Sequence, residues 1–226
     1  MLDKGKQNMF AFDLKKLYQY IIFVIIVCFN AALVALALKV SVGVDSWAAF
    51  SQSMADLCSL KVGTMEMILN CLCVFLQLCI LKKKFSFLQL LQIPLSVIIG
   101  IVINYVYYEV LVFDFTNYLL RLVIICLFYI ASAFSVAAIM LMDKITYPLE
   151  GLCMAISKNM NISFHVLRQW VDIICIALSI FISLYFSLPF IVREGTIIGM
   201  LLFGPVLGFA MKHEKKYLMK MHLIEE

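Results

Sequence analysis

The sequence predicts an all-α, polytopic membrane protein: six transmembrane helices arranged as two inverted three-helix repeats, each with a short re-entrant or interfacial helix. Three observations carry that expectation. The 226 residues are 65% hydrophobic, with a mean hydropathy of +1.04, whereas a globular domain is roughly 45–50% apolar. Charged residues make up 14% and sit mostly between apolar runs. Two short amphipathic stretches, VDSWAAFSQSMADLCSL at Val44–Leu60 and TYPLEGLCMAISKNMNI at Thr146–Ile162, occupy matching places in the two halves.

A spanning helix needs about 20 mostly apolar residues. The runs that qualify are 17–38, 62–81, 85–107, 118–142, 167–192 and 195–211, the last being short. They divide a single membrane domain, 1–226, into repeat 1 at 17–107 and repeat 2 at 118–211, with termini at 1–16 and 212–226. Met9, Phe10, Phe12 and Leu14 among lysines suit an interfacial amphipathic segment, and the tail from Lys212 has the same character. The first apolar run is too long for the core of a cleavable signal peptide and lacks a small-residue cleavage site.

With the N-terminus inside, thirteen lysines fall on the cytoplasmic side: Lys4, Lys6, Lys15, Lys16, Lys82, Lys83, Lys84, Lys144, Lys158, Lys212, Lys215, Lys216 and Lys220. Only Lys39, Lys61, Arg121 and Arg193 fall outside, and Arg168 sits at the inner edge of the fifth span. Excess positive charge marks the cytoplasmic side, so both termini are expected there. The net charge of +4 belongs to these loops rather than to a nucleic-acid face.

Sliding the chain by 102 residues superposes Asn30-Ala31 on Ser132-Ala133 and Val34-Ala35 on Val136-Ala137. The same shift brings Ser46 to Pro148, Cys58 to Met160, Glu66 to Arg168 and Asn70 to Asp172. Pro94 corresponds to Pro205 only if extra residues are allowed in the second half. Three spans per unit is an odd number, so the units enter the membrane from opposite faces, as in many secondary transporters. In such folds the broken segments of each half meet near the midplane, where irregular backbone is buried in protein or faces water. Two amphipathic helices lying flat on the two surfaces satisfy the same pattern.

No enzymatic constellation emerges. His213 and His222 lie in the charged tail, and His165 opens the fifth helix. There is no zincin, nucleophile-elbow, phosphate-loop or calcium-loop motif. Of the eight cysteines, Cys71 and Cys73 form C-x-C, which is not a zinc or redox spacing. They read as small hydrophobes, and no cofactor or metal is expected. The chain is therefore expected not to be an enzyme, and the absence of a phosphate loop removes an ATP-driven pump contained in this chain.

Polar groups at membrane depth are costly and mark function by default. The candidates for a substrate path are Asp45, Ser46, Trp47, Phe50, Asn70, Gln92, Pro148, Glu150 and Asp172. Asn30 and Gln89 are further polar residues at depth, with interhelical hydrogen bonding as the alternative role. Glu66 and Arg168 are expected to face separate vestibules rather than each other. Trp47 and Phe50 suit either stacking on a ligand or an interfacial aromatic belt. Gly195/Gly199 and Gly204/Gly208 are G-x-x-x-G pairs suited to close helix packing, while Pro94 and Pro205 predict kinks.

Gly43-Val44-Asp45-Ser46-Trp47 and Leu60-Lys61-Val62-Gly63-Thr64, with Phe203-Gly204-Pro205 in a later span, resemble motifs of the YczE/YyaS/YitT-like bacterial integral membrane proteins. Lys61 stands where those proteins usually carry Ser. Ile162-Ser163-Phe164-His165 keeps the second motif only loosely. The resemblance implies a helical architecture and a bacterial cell-membrane location. It supplies no settled activity.

The function expected is a small-molecule transporter or exporter working by alternating access. The alternatives are a substrate-binding membrane component of a metabolite uptake complex with a partner ATPase, or a non-transporting scaffold or sensor. Expected partners are the lipid bilayer and an unidentified small-molecule substrate. A homodimer or a membrane partner is compatible with the chain, and the small pair Ala31/Ala35 suits docking to such a partner.

Overall fold

The computed structural model describes the backbone of residues 2–113 and 115–224, and the side chains of residue 14, of 16–113 and of 115–224. The described residues form α1 (Leu2–Val40), α2 (Ser46–Cys58), α3 (Val62–Leu81), α4 (Gln92–Tyr105), α5 (Tyr118–Met142), α6 (Pro148–Met160), α7 (Phe164–Tyr185) and α8 (Glu194–Lys220), and no strand. Six segments are long and apolar enough to cross a membrane: Lys16–Val40, Val62–Lys84, Phe87–Val110, Tyr118–Met142, Phe164–Tyr185 and Glu194–Lys220. The two remaining helices, α2 and α6, are the short amphipathic pieces.

The repeat is written into the backbone. The ends of α1 and α5, both ends of α2 and α6, and the starts of α3 and α7 are each 102 residues apart. Left-handed residues close the same turns in both halves: Ser41 and Asp143 (φ 56° and 44°), then Ser59 and Asn161 (φ 53° and 54°). The packing obeys the same exchange. Helix α2 lies on α7 and α6 lies on α3, while α1 meets both its own counterpart α5 and its neighbour α4, as α5 meets α8.

The pseudo-two-fold axis passes through the α1–α5 crossing. Ala31 and Ala35 on one side, and their equivalents Ala133 and Ala137 on the other, are almost fully buried there. Small residues at four-residue spacing let two helix backbones approach closely. At the same level the Ser132 hydroxyl donates to Asn30 Oδ1 (2.9 Å), a bond between two equivalent positions. The Ala31/Ala35 pair is thus consumed inside the protomer and does not offer a docking face.

The L-K-V-G-T sequence is explained by a second crossing. A Cβ at Gly63 would lie 2.2 Å from the Gly100 carbonyl oxygen, so only glycine lets α3 cross α4 here. No side chain caps α3 from its own N-cap, Lys61. Instead α4 and the helical turn that follows it supply partners: Asn104 Oδ1 accepts from Gly63 N–H (2.9 Å), Tyr108 hydroxyl, just beyond α4, accepts from Val62 N–H (3.3 Å), and Asn104 Nδ2 donates to Thr64 (3.0 Å). His165 and Val166 replace Gly63 and Thr64 in the second half, and α7 and α8 make no comparable crossing.

Several expectations change. The fifth span begins at Phe164 and ends at Tyr185, so most of the stretch up to Val192 is a connection rather than helix. The sixth span is not short. It continues through the charged tail to Lys220, and the tail does not form a separate interfacial helix. Leu218 and Leu223 are buried, and Gln19 Nε2 donates to the His222 carbonyl (2.8 Å), fastening the tail to α1. Helices α4 and α8 begin 102 residues apart, which sets Pro94 opposite Thr196 and not Pro205. Pro94 lies in the first turn of α4, where its missing N–H costs little, whereas Pro205 is interior to α8. Gly195 and Gly199 pack on Val42–Gly43 and on the Tyr129 ring, but Gly204 and Gly208 face open space. Leu14 is exposed, and Met9, Phe10 and Phe12, the rest of the expected interfacial segment, lie outside the described side chains.

Substituting Gly63→Ala is expected to cost about 1–3 kcal/mol, the usual range for overpacking, and to lower the melting temperature of detergent-solubilised protein. Gly204→Ala, made in open space, serves as the control and should leave it unchanged. Equal melting temperatures for the two variants would refute the α3–α4 crossing.

Candidate functional site

The two short helices are half-length spans set end-on into the protein. The Ser46 hydroxyl donates to the Asp172 carboxylate, and the Ser53 and Ser179 hydroxyls share a hydrogen bond (2.7 Å). Both pairs are separated by the same number of residues, so α2 and α7 run parallel and in register. Asp172 lies eight residues into α7, about 12 Å from its start at a rise of 1.5 Å per residue. Helix α2 therefore begins well inside the layer occupied by the spans and rises from there. Ser46, Ala48, Ala49, Ser51, Ser53 and Ala55 are all buried. A helix lying flat on a surface would bury one apolar face against lipid instead, so α2 is re-entrant. The repeat makes α6, packed lengthwise on α3, its counterpart.

The buried end of α2 is capped by Asp45, whose Oδ1 accepts from Trp47 N–H (3.2 Å) and Ala48 N–H (3.1 Å). Asp45 is an efficient N-cap. The equivalent position before α6 is Tyr147, followed by Pro148 at the first helical position, where a proline leaves no N–H to satisfy. The Tyr147 hydroxyl accepts from Asn30 Nδ2 (3.4 Å), which ties the start of α6 to the axis.

Between these helix ends stands Arg168. It pairs with Asp172 one turn later on α7, and its Nε lies 3.7 Å from Glu150 Oε1 on α6. The Arg168, Glu150 and Asp172 side chains are 26%, 34% and 32% exposed, which marks a crevice rather than a sealed core. Asp45 also lies within electrostatic reach of Arg168. Asp45, Ser46, Glu150 and Asp172 thus converge on Arg168, the residue that the candidate set lacks.

A second group surrounds Gln77, which is fully buried. Its Nε2 donates to Gln92 Oε1 (2.9 Å) and to the Pro148 carbonyl (2.9 Å), joining α3, α4 and α6. Gln92 and Pro148 are therefore brought together by Gln77. Asn70 is buried on α3 at the place that Asp172 holds on α7. Trp47 and Phe50 stand 6.2 Å apart at 49° and pack, half-buried, against the apolar core. Cys153 is buried, which fits a structural cysteine.

These placements follow one rule. The face of α3 that carries Glu66, Asn70, Cys73 and Gln77 repeats on α7 as Arg168, Asp172, Cys175 and Ser179. Spacings of four, three and four keep each set on one helix side, and each set faces a short helix from the other half. Sizes are matched across the axis. Gln77 rests on Gly151, where a Cβ would come within 2.8 Å of its amide; the smaller Ser179 rests beside Ala49, the equivalent of Gly151. Applying the 102-residue shift to the whole polar face, not only to Asn70 and Asp172, is the signal that finds Cys73/Cys175 and Gln77/Ser179.

Six long apolar helices, paired inverted halves and two buried half-helices define a multi-pass helical membrane protein of the inverted-repeat kind. The chain belongs to a family of unknown function (DUF6198), whose model matches residues 17–212. No curated protein and no solved structure matches it.

Two measurements follow. Arg168→Gln leaves Asp172 and Glu150 without their cation and should cost about 2 kcal/mol; a fully buried pair loses more, and these groups are a quarter to a third exposed. Adding Asp172→Asn should recover part of the lost thermal stability; failure of that rescue would remove Arg168 from the centre of the cluster. Gly151→Ala should cost about 1 kcal/mol. In a Gln77→Ser background, which reproduces the Ala49/Ser179 pair, that cost should vanish, so additive losses in this double-mutant cycle would break the size-matching account.

Proposed function

We propose that this protein is a carrier for a small molecule, working by alternating access between its two inverted halves, and that it is not an enzyme. The observation that supports this reading is the meeting of two half-length helices from opposite repeats at a crevice lined by Asp45, Ser46, Glu150, Arg168 and Asp172. Broken helices whose ends meet ionisable groups inside the span layer are the usual construction of secondary-transporter sites. Ionisable residues kept at that depth are costly and serve substrate or ion pathways. The crossing of α2 on α7 and of α6 on α3 means that rocking one half against the other moves each short helix along the opposite half.

The resemblance to YczE/YyaS/YitT-like proteins supports a bacterial cell-membrane location, and the lysine distribution supports cytoplasmic termini. A second reading is a membrane component that acts with a larger partner. It is favoured by α7 and α8, which are only 22% buried along their apolar windows, and by the open face at Gly204 and Gly208.

Cys175 lies buried on the polar face of α7 and serves as a native reporter. With the other seven cysteines replaced, it should react with a membrane-impermeant thiol reagent from either side of a sealed vesicle. Cross-linking Ser53→Cys to Ser179→Cys should then confine labelling to one side. Labelling from one side only, with or without the cross-link, would sink the carrier and leave the component or scaffold.

A further inference from the structure

Among the described residues, one ionisable group of the polar faces makes no hydrogen bond or ion pair. Glu66 is 8% exposed, and its Oε2 accepts no hydrogen bond. Its repeat counterpart Arg168 is neutralised by Asp172 and Glu150, so the two equivalent positions are in different electrical situations. The groups that face Glu66 come from three directions. Asp45 approaches from the start of α2 and Tyr147 from the start of α6. Helix α4 brings Gly100 and Asn104, both uncharged, to the crossing with α3. Glu150, one turn into α6, is turned to Arg168. Among the described residues, the ionisable neighbours Asp45 and Tyr147 thus bring Glu66 no positive charge. Tyr129 is likewise buried, with a hydroxyl that has no hydrogen-bond partner among the described residues.

A carboxylate taken out of water without a cation or hydrogen-bond donors costs several kcal/mol, and the group neutralises instead. Three carboxylates, Asp45, Glu150 and Asp172, share the charge of Arg168, and Glu66 stands outside that group. The charge that Glu66 requires is therefore a bound cation. A divalent ion takes six or more oxygens, and among the described residues no three ligating groups converge. A proton needs only the one unpartnered oxygen.

We propose that Glu66 is the proton-binding residue of this protein. In the closed arrangement seen here the proton is held on Oε2; when the α3–α6 side opens to water it leaves to a water molecule, and the carboxylate is hydrated in its place. The O–H bond broken is that of the carboxyl group, and the electron pair stays on Oε2. The other acids at this depth are engaged: Asp172 by Arg168 and the Ser46 hydroxyl, Glu150 by Arg168, and Asp45 by the Trp47 and Ala48 N–H groups, so they are unsuited to the task. Use of this proton to drive a solute rests on the carrier reading above; its presence on Glu66 does not.

Infrared spectroscopy of the full chain in lipid bilayers, near neutral pH, tests the site without a substrate. The wild-type protein should show a protonated-carboxyl C=O band that shifts when glutamate, and not aspartate, carries carbon-13. The band should be lost in Glu66→Gln and should be indifferent to replacing sodium by choline. A wild-type spectrum without the band, a band that ignores glutamate labelling, or one that persists in Glu66→Gln would overturn the assignment. A band that vanishes on adding sodium would also overturn it, and would identify an alkali-cation site instead. Should the glutamine variant fail to fold, Glu66→Asp decides: the band should then follow aspartate labelling and no longer glutamate labelling, and a band still sensitive to glutamate labelling would overturn the assignment. A positive infrared result beside one-sided Cys175 labelling would keep the proton site and discard the carrier, so the two failures are distinguishable.

Discussion

The burial of two free helix ends constrains everything else in this protein. An α-helix leaves its first four N–H groups without intrahelical partners, and no water in a bilayer core stands ready to take them. At α2 the answer is Asp45, which accepts from two of these groups, with Ser46 turned outward to Asp172. At α6 it is Pro148, which removes one donor, and Tyr147, held by Asn30. Each solution draws on a span from the opposite half, and the carboxylates used at α2 in turn require Arg168. The charge cluster is thus a consequence of placing broken helices inside the span layer.

The two halves are near copies that have stopped being equal. Asp45 against Tyr147, Glu66 against Arg168, and Gln77 on Gly151 against Ser179 beside Ala49 are the same backbone places with different chemistry. A symmetric sequence would bring like charges together at the axis, where a repulsive pair in low dielectric is expensive. Divergence places one cation among carboxylates and leaves Glu66 alone on its side. The same divergence separates α7 from α8, because His165 and Val166 lack the features with which Gly63 and Thr64 close α3 on α4.

Much of this was legible in the residues. Hydropathy located the six spans, and the shift between Asn30 and Ser132 pointed to the pair that bonds on the axis. Asp45, Ser46, Glu150 and Asp172 were readable as costly polar groups and do share one crevice. The helix ends read less well. Hydropathy starts the fifth span three residues late and ends the sixth at the first lysines, because it marks where lipid contact ends, not where backbone hydrogen bonding ends. Trp47 and Phe50 stand out in the sequence by their chemistry alone, and they pack on the core.

Composition by itself determined the class of molecule, since nothing but a membrane accommodates this much apolar surface in six separate runs. The repeat, and with it the opposed orientation of the halves, followed from identities at one fixed shift. Only the tertiary structure decided whether Val44–Leu60 and its twin lie on the surface or enter the protein. A short amphipathic helix has the same sequence in both situations, because its polar face can meet water or another helix. The register of α2 on α7, set by the Ser46–Asp172 and Ser53–Ser179 bonds, belongs to residues far apart in the chain. That pairing assigned Asp172 to Arg168 and left Glu66 without a partner.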